Sequence, residues 1–419
     1  MRSLSGYHKF SGLPVLRNLV RHWQKSLLSG LVGLLTVLLL AAYMGNMESA
    51  RAQLAALPAA LPVTGKISNL NGSLDAGLKI PEKTVQGIAE AKELKGQVFT
   101  VLLRAGLGVF TLEEWEGNLN FFVVGANDLA GVPGLKKEEI CFWGDADEGI
   151  LRTAEDVCIV DTWTMEQNGL SPGDEILLTF FYYRFGNDTG SGNTVFIEPL
   201  CSTYSRIVGV MDIEEYTGTV GCPNLIVPFD SARQMFHGQD IPFTADSVSF
   251  TVADPFRLNA CKEELHTLGL LPVMKNAEYR FDGNAVTLRD DTFIRAAENL
   301  RESLAILQGI LPFVLCMIVC AGYLCSYLLM QSRRPEYATM RSLGMSWRHC
   351  FLLLLAESAV TETAACAMGS LLALAILKTQ PAVLLLAGGL FLGAFLAGTG
   401  GALWSFRRLS VMAVLGRGD

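Results

Sequence analysis

The stretch Ser26–Gly45 reads SLLSGLVGLLTVLLLAAYMG, without one charged residue, and it decides the fold class. An α-helix rises about 1.5 Å per residue, so about 20 apolar residues cross a hydrocarbon layer of about 30 Å. Three more stretches meet that requirement, 304–330, 351–377 and 381–406. Residues 46–300, between the first and second, are of mixed polarity and rich in strand-like runs and turn signals. Irregular backbone of that kind cannot sit in lipid, where its polar groups would go unpaired. The expected architecture is therefore membrane α-helical, with four transmembrane helices and a large α+β extracytoplasmic domain inserted between helices 1 and 2. A mean hydropathy of +0.34 with 18% charged residues points the same way.

Charge gives the orientation. Residues 46–300 hold 19 Lys and Arg against 36 Asp and Glu, a net of −17, while the rest of the chain carries +9 of the total of −8. The remaining bases flank the spans: Arg17, Arg21 and Lys25 before the first, Arg333, Arg334, Arg341 and Arg348 between the second and third, Arg407 and Arg408 after the fourth. Positive flanks stay in the cytoplasm. Both termini, the loop 331–350 and the tail 407–419 are thus expected inside the inner (plasma) membrane, and the acidic domain outside. The short loop Lys378-Thr379-Gln380 falls outside with one Lys. A cleaved signal peptide does not fit the amino terminus, because the apolar core of 26–45 exceeds the usual length of about 7 to 15 residues.

Residues 1–25 place Leu13, Leu16, Val20 and Trp23 on one helical face and the bases on another. They read as an amphipathic helix on the inner membrane surface, its bases toward lipid phosphates or a partner, or else as a positive anchor for the span that follows. Beyond that span, Ala-rich Glu48–Leu57 prolongs the helix outward as a stalk until Pro58 and Pro62 stop it. In the domain, Thr64–Leu70 reads as a strand ended by Asn71-Gly72, and Pro81–Lys95 as a helix ended by Gly96. Val98–Leu103, Phe121–Gly125, Ile176–Tyr183, Tyr204–Val210 and Val248–Val252 read as strands, Arg257–Leu268 as a helix, and Tyr279–Leu288 as a hairpin about Asp282-Gly283. From Asp290 and Asp291, the residues Phe293, Ala296, Leu300, Leu304 and Leu307 keep helical spacing into span 304–330, a second stalk.

Catalytic chemistry has no visible carrier. Gly65-Lys66 lacks both the leading glycine of a phosphate loop, Ala60 standing there, and the hydroxyl that would hold magnesium, replaced by Ile67. HExxH and GxSxG do not occur, and the five histidines are scattered. No catalytic residue, cofactor site or metal site is expected; the acidic clusters at 113–116 and 145–148 lack the spacing of a calcium loop. Ten cysteines include no CxxC; Cys201 and Cys222 could pair or remain separate thiols. In span 351–377, Glu357 and Glu362 stand out, since intramembrane carboxylates are paired or functional. Glu357 is near enough to the cytoplasmic end to snorkel, whereas Glu362 is deeper. Five residues apart, they lie about 140° apart round a helix and form no single site. Gly389 and Gly393 make a GxxxG pair that permits close helix approach, within the chain or to a second copy.

The loop between spans two and three runs Arg333-Arg334-Pro335-Glu336-Tyr337-Ala338-Thr339-Met340-Arg341-Ser342-Leu343-Gly344-Met345-Ser346. Pro335 suits a first helical turn, Glu336 its positive end, Gly344 a left-handed stop, and Ser346 the cap of the next helix. The product is a short helix with Tyr337, Met340, Arg341 and Gly344 on one side, fit to enter a groove on a soluble partner.

Residues 333–346 resemble the loop pattern R-R-x-E-[IFY]-A-x-[LM]-R-[AS]-L-G-[AM]-[ST] of the FtsX-like permeases, and the layout of one span, outside domain and three spans is similar to that of their MacB type. Glu357 stands where that family commonly has Glu. Ser171-Pro172-Gly173-Asp174-Glu175-Ile176 is similar to a turn of the MacB-type ectodomain, and Ser410–Arg417 resembles the closing D-P-x-x-x-L-R element, with Ser410 and Val411 in place of Asp and Pro. The resemblance implies the permease subunit of an ABC transporter, paired with a second copy of itself or a paralogous permease and served by separate ABC ATPase subunits. It makes Arg333, Arg334, Glu336, Tyr337, Met340, Arg341 and Gly344 the ATPase-coupling residues. It also implies mechanotransmission, in which ATPase closure moves the stalks and the ectodomain exports or extracts a drug, peptide or lipoprotein-like substrate. Membrane lipids and no nucleic acid complete the expected partners. The alternative is a signalling or adaptor protein that relays ATPase state to an outside hydrolase or a sensor kinase.

Overall fold

The computed structural model describes residues 23–111, 121–186, 194–212, 222–239 and 241–408. The amphipathic segment expected before residue 23, the acidic cluster at 113–116 and the closing element at 410–417 lie outside the described residues. The chain divides into two units, Leu57–Arg295 and the remainder, each taken by itself below. Helix α1 (Trp23–Ala60) takes in the uncharged opening stretch and the Ala-rich run behind it, ending between Pro58 and Pro62.

The first of these units is built in chain order from β1 (Thr64–Ser68), β2 (Ile80–Pro81), α2 (Glu82–Glu90), β3 (Leu94–Leu107), β4 (Phe121–Ala126), β5 (Ile140–Phe142), β6 (Val157–Asp161), α3 (Thr162–Asn168), β7 (Glu175–Gly186), β8 (Thr194–Met211), β9 (Leu225–Pro228), α4 (Phe229–His237), β10 (Thr244–Ala245), β11 (Ser247–Val252), α5 (Leu258–Thr267), β12 (Leu271–Pro272) and β13 (Ala285–Arg289). Eleven strands pair in the order β12-β13-β1-β11-β3-β4-β9-β6-β8-β5, and β7 bonds to both β3 and β8. The pairing therefore closes through β3, β4, β9, β6, β8 and β7 and back to β3. Strands β6 and β9 are buried at every position, which is why they form continuous apolar runs instead of alternating. Val124, Leu151, Ile159, Val208 and Ile226 pack as one core. Tyr182, Phe236 and Phe243 meet edge to face at 4.9 and 5.2 Å.

Two expected elements differ. The helix expected over Pro81–Lys95 ends at Glu90, because Leu94 opens the long strand β3 and pairs with Val252 of β11. The hairpin expected over Tyr279–Leu288 does not form: β13 pairs antiparallel with β1 and parallel with β12. Gly283 serves close packing instead of a tight turn, since a Cβ there would lie 2.4 Å from Ile80 Cγ1. The turn at Ser171–Asp174 does form, with Gly173 at φ +95° and the Ser171 N–H donating to Asp174 Oδ2 at 2.8 Å. Cys201 and Cys222 are both free thiols. Asp246, buried at the start of β11, accepts from the Leu102 N–H at 2.6 Å, and desolvation pushes its pKa up to about 8.

The other unit contains α6 (Asp291–Ser332), α7 (Arg334–Ser342), α8 (Trp347–Leu377) and α9 (Pro381–Ser405) together with most of α1. Helices α1, α6, α8 and α9 are long and apolar enough to cross a membrane. Val37, Leu40 and Met44 of α1 pack with Ile318, Cys366, Ala387, Phe391 and Phe395. Within the chain no close approach is made at Gly389 or Gly393: neither has a heavy atom within 4 Å of a built Cβ. Helices α6 and α9 touch backbone to backbone at Gly322 and Gly398, where a Cβ would lie 2.4 Å from Phe395 O and 2.0 Å from Val319 O. At about 100° per residue, Gly389 sits roughly half a turn round α9 from Gly398, away from that seam.

Candidate functional site

Helix α7 owes its position to the residue before it. Arg333 is its N-cap but makes no side-chain cap bond. Its guanidinium turns into the bundle instead, where Nη1 donates to Glu357 Oε1 of α8 at 2.6 Å, with side chains only 9% and 7% exposed. Glu357 therefore does not snorkel to the surface as its place near the span end suggested; it is held inside by a cation. Buried charges persist only in such pairs. Ser26, Ser29, Ser326, Ser358 and Thr361 line a cavity of about 30 Å³ beside the pair, and Arg333 Nε and Glu357 Oε2 have no protein partner. A polar space of that size takes a single water.

The rest of α7 is fastened as well. Tyr337 is buried among Met330, Cys350, Leu354, Leu403 and Phe406, and the Arg334 guanidinium lies 5.8 Å from the Phe406 ring centre. Gly344, at φ +89°, ends the helix. The Gly344 N–H donates to Arg341 O at 3.1 Å and the Met345 N–H to Met340 O at 3.2 Å, the bond pair of a Schellman stop. Met340 and Met345 then pack on the same cluster as Tyr337. Arg341 donates to Met345 O at 2.9 Å, and Ser346 caps α8 through the His349 N–H.

These contacts turn part of the face expected to meet a partner towards the chain's own bundle, while Gly344 stays exposed as expected. Tyr337 and Met340 serve the chain's own bundle, Glu336 and Arg341 are half-buried, and the exposed positions are Pro335, Thr339, Ser342, Leu343 and Gly344. Leu343, 80% exposed, is the apolar tip that sequence reasoning missed. Its signal was its place directly before the helix-ending glycine, where a side chain leaves the helix.

Glu362 occupies a different place. It is 0% exposed and accepts from Ser29 Oγ of α1 at 2.8 Å. A Cβ on Gly33 would lie 2.0 Å from Glu362 Oε2, so a side chain there would have to push the carboxyl end aside. Two turns further on, Gly369 of α8 admits Val37 and Leu34 of α1. The two glutamates thus join α8 to different neighbours, Glu357 to the root of α7 and Glu362 to α1.

Residues 309–411, which take in α7, α8 and α9, match the family described as FtsX-like permease C-terminal. No curated protein matches the chain. Among solved structures, the periplasmic region of MacB from Actinobacillus actinomycetemcomitans aligns at 12% identity and a TM-score of 0.30, over 57% of this chain and 92% of that one. A domain of a putative permease protein from Porphyromonas gingivalis aligns at 11% identity and a TM-score of 0.26, over 54% and 85%.

Proposed function

We propose that this chain, whose residues 309–411 match the FtsX-like permease C-terminal family, is the membrane subunit of an ABC transporter and couples ATP hydrolysis in a separate subunit to its own extracytoplasmic domain. One observation carries the reading. Helix α7 is tied to the bundle at its start by Arg333–Glu357, in its middle by Tyr337 and at its end by the Gly344 stop, while Leu343 stands free at its tip. A passive connector needs none of those ties. A short helix fixed at three points passes a push on its tip to α8 with little lost in bending. Helices α1 and α6 run unbroken from the spans into the stalk segments 46–60 and 291–303, a route by which displacement could travel outward. Two such chains serving two ATPases, and export or extraction of a drug, peptide or lipoprotein-like substrate, complete the proposal.

The test is Leu343→Asp in the full chain, reconstituted with the ATPase that co-purifies with it. Exposed substitutions alter stability by about 0.5 kcal/mol or less, so insertion and thermal midpoint should match the parent. ATPase binding, or the change in turnover that the chain causes, should fall by about tenfold, the equivalent of about 1.4 kcal/mol. Unchanged binding and turnover would refute the coupling role of α7.

A further inference from the structure

At the opposite end of α8 from α7 the chain turns on an unusual residue. Helix α8 stops at Lys378 with φ 50° and ψ 33°, and among the described residues this is the one non-glycine position with positive φ. A side-chain-bearing residue in that region is sterically disfavoured, and glycine or asparagine is the usual stop. The same residue sets a positive charge in a loop read as lying outside, where bases are scarce. Two separate penalties at one position argue that the ammonium is used. Within the described residues no ion pair or hydrogen bond takes it up.

Lys378 lines an open cavity of about 550 Å³ between the loop and α1. The wall changes character: Ala42, Leu377 and Val383 are apolar, whereas Asn46, Ser49 and Lys378 offer an amide, a hydroxyl and a cation. Ser49 Oγ accepts from Gln53 Nε2 at 3.3 Å, which leaves its own proton to donate. The acid in the wall, Glu48, is engaged with Arg51 at 3.6 Å, so the charge left uncompensated is that of Lys378. Gly45 brings α1 close to the loop, a Cβ there standing 3.4 Å from Thr379 Cγ2.

We propose that this cavity binds an anionic phospholipid, whose phosphodiester is held by Lys378, Asn46 and Ser49 while its acyl chains follow the apolar wall. The inference rests on the membrane-spanning reading and not on the coupling reading of α7. A free phosphate would meet the polar half alone and leave the apolar half unused.

The full chain, purified in mild detergent and stripped of lipid, is titrated with phosphatidylglycerol, phosphatidylcholine and inorganic phosphate, with bound lipid counted by native mass spectrometry. Lys378→Asn tolerates the left-handed turn and removes the charge; Lys378→Arg keeps the charge. Phosphatidylglycerol should bind the parent and Lys378→Arg, and bind Lys378→Asn about tenfold more weakly, as losing one charge-assisted bond predicts. An unchanged or raised thermal midpoint for Lys378→Asn without lipid shows that the fold survived. Equal phosphatidylglycerol binding by the parent and Lys378→Asn overturns the proposal, as does inorganic phosphate displacing the lipid at equal concentration. Failure here with Leu343→Asp still uncoupled would remove the lipid site alone.

Discussion

In the helical unit Glu357 is buried with the Arg333 guanidinium at 2.6 Å, whereas in the sheet unit Asp246 is buried with the Leu102 peptide N–H at the same distance. The first carboxyl has a cation brought to it from the start of α7. The second has no cation beside it, and desolvation outweighs the peptide bond, which holds its pKa near 8. The difference teaches where each unit can bear strain. A charge pair is stable while intact and expensive to break, so it suits a joint that must not slip; a neutral acid is stable only while it keeps its proton.

The largest effect should follow from breaking the pair. Glu357→Ala leaves Arg333 buried and unmatched, which destabilises by about 3–5 kcal/mol, read as a lowered unfolding midpoint in detergent. Arg333→Met with Glu357→Leu removes both charges and should regain most of that loss. A single substitution with no effect on the midpoint would mean that the pair holds nothing together. The next effect is steric and sharpens the account of the bundle. Gly398→Ala drives a methyl into Val319 O and should cost about 1–3 kcal/mol. Gly389→Ala meets no atom and should be neutral or, through better helix propensity, stabilising by up to about 1 kcal/mol. Equal losses at the two sites would contradict the α6–α9 seam.

A pH series tests the buried acid of the sheet unit. Folded Asp246 keeps its proton up to about pH 8, whereas the unfolded chain gives it up near the ordinary value of 3.8. The sheet unit should therefore be indifferent to this group below about pH 4, lose stability as pH rises towards 8, and level off above it. Asp246→Asn removes that slope. At pH 8 the variant should unfold well above the parent, and at pH 4 the two should coincide; parallel curves at all pH values would show that Asp246 titrates normally.

Much of the helical unit was legible in the sequence, because uncharged runs such as Ser26–Gly45 have few alternatives and the punctuation of α7 by Pro335, Gly344 and Ser346 is local chemistry. The partners of its buried groups were not. Arg333 and Glu357 are 24 residues apart across two turns, and Ser29 and Glu362 lie 333 residues apart, so no local pattern links them. Tyr337 and Met340 misled for a related reason: an aromatic and a methionine on a loop helix suit a partner's groove and the chain's own core equally well. In the sheet unit, β6 and β9 are too short and too uniformly buried to announce their neighbours. The parallel pairing of β4 with β9 joins Val123 to Leu225, a register that only the closed ring of strands defines.

The fit between Gly33 and Glu362 has an evolutionary corollary. A methyl at 33 and a carboxyl at 362 would claim the same space, so the two positions form one hereditary unit. A lineage that replaced Glu362 with a smaller residue would release position 33 to vary, while one that kept the carboxyl would have to move it aside for any side chain at 33. Substitutions at these sites should therefore arrive together or in that order, and paired changes across diverging copies of the gene would carry the imprint of a contact between α1 and α8.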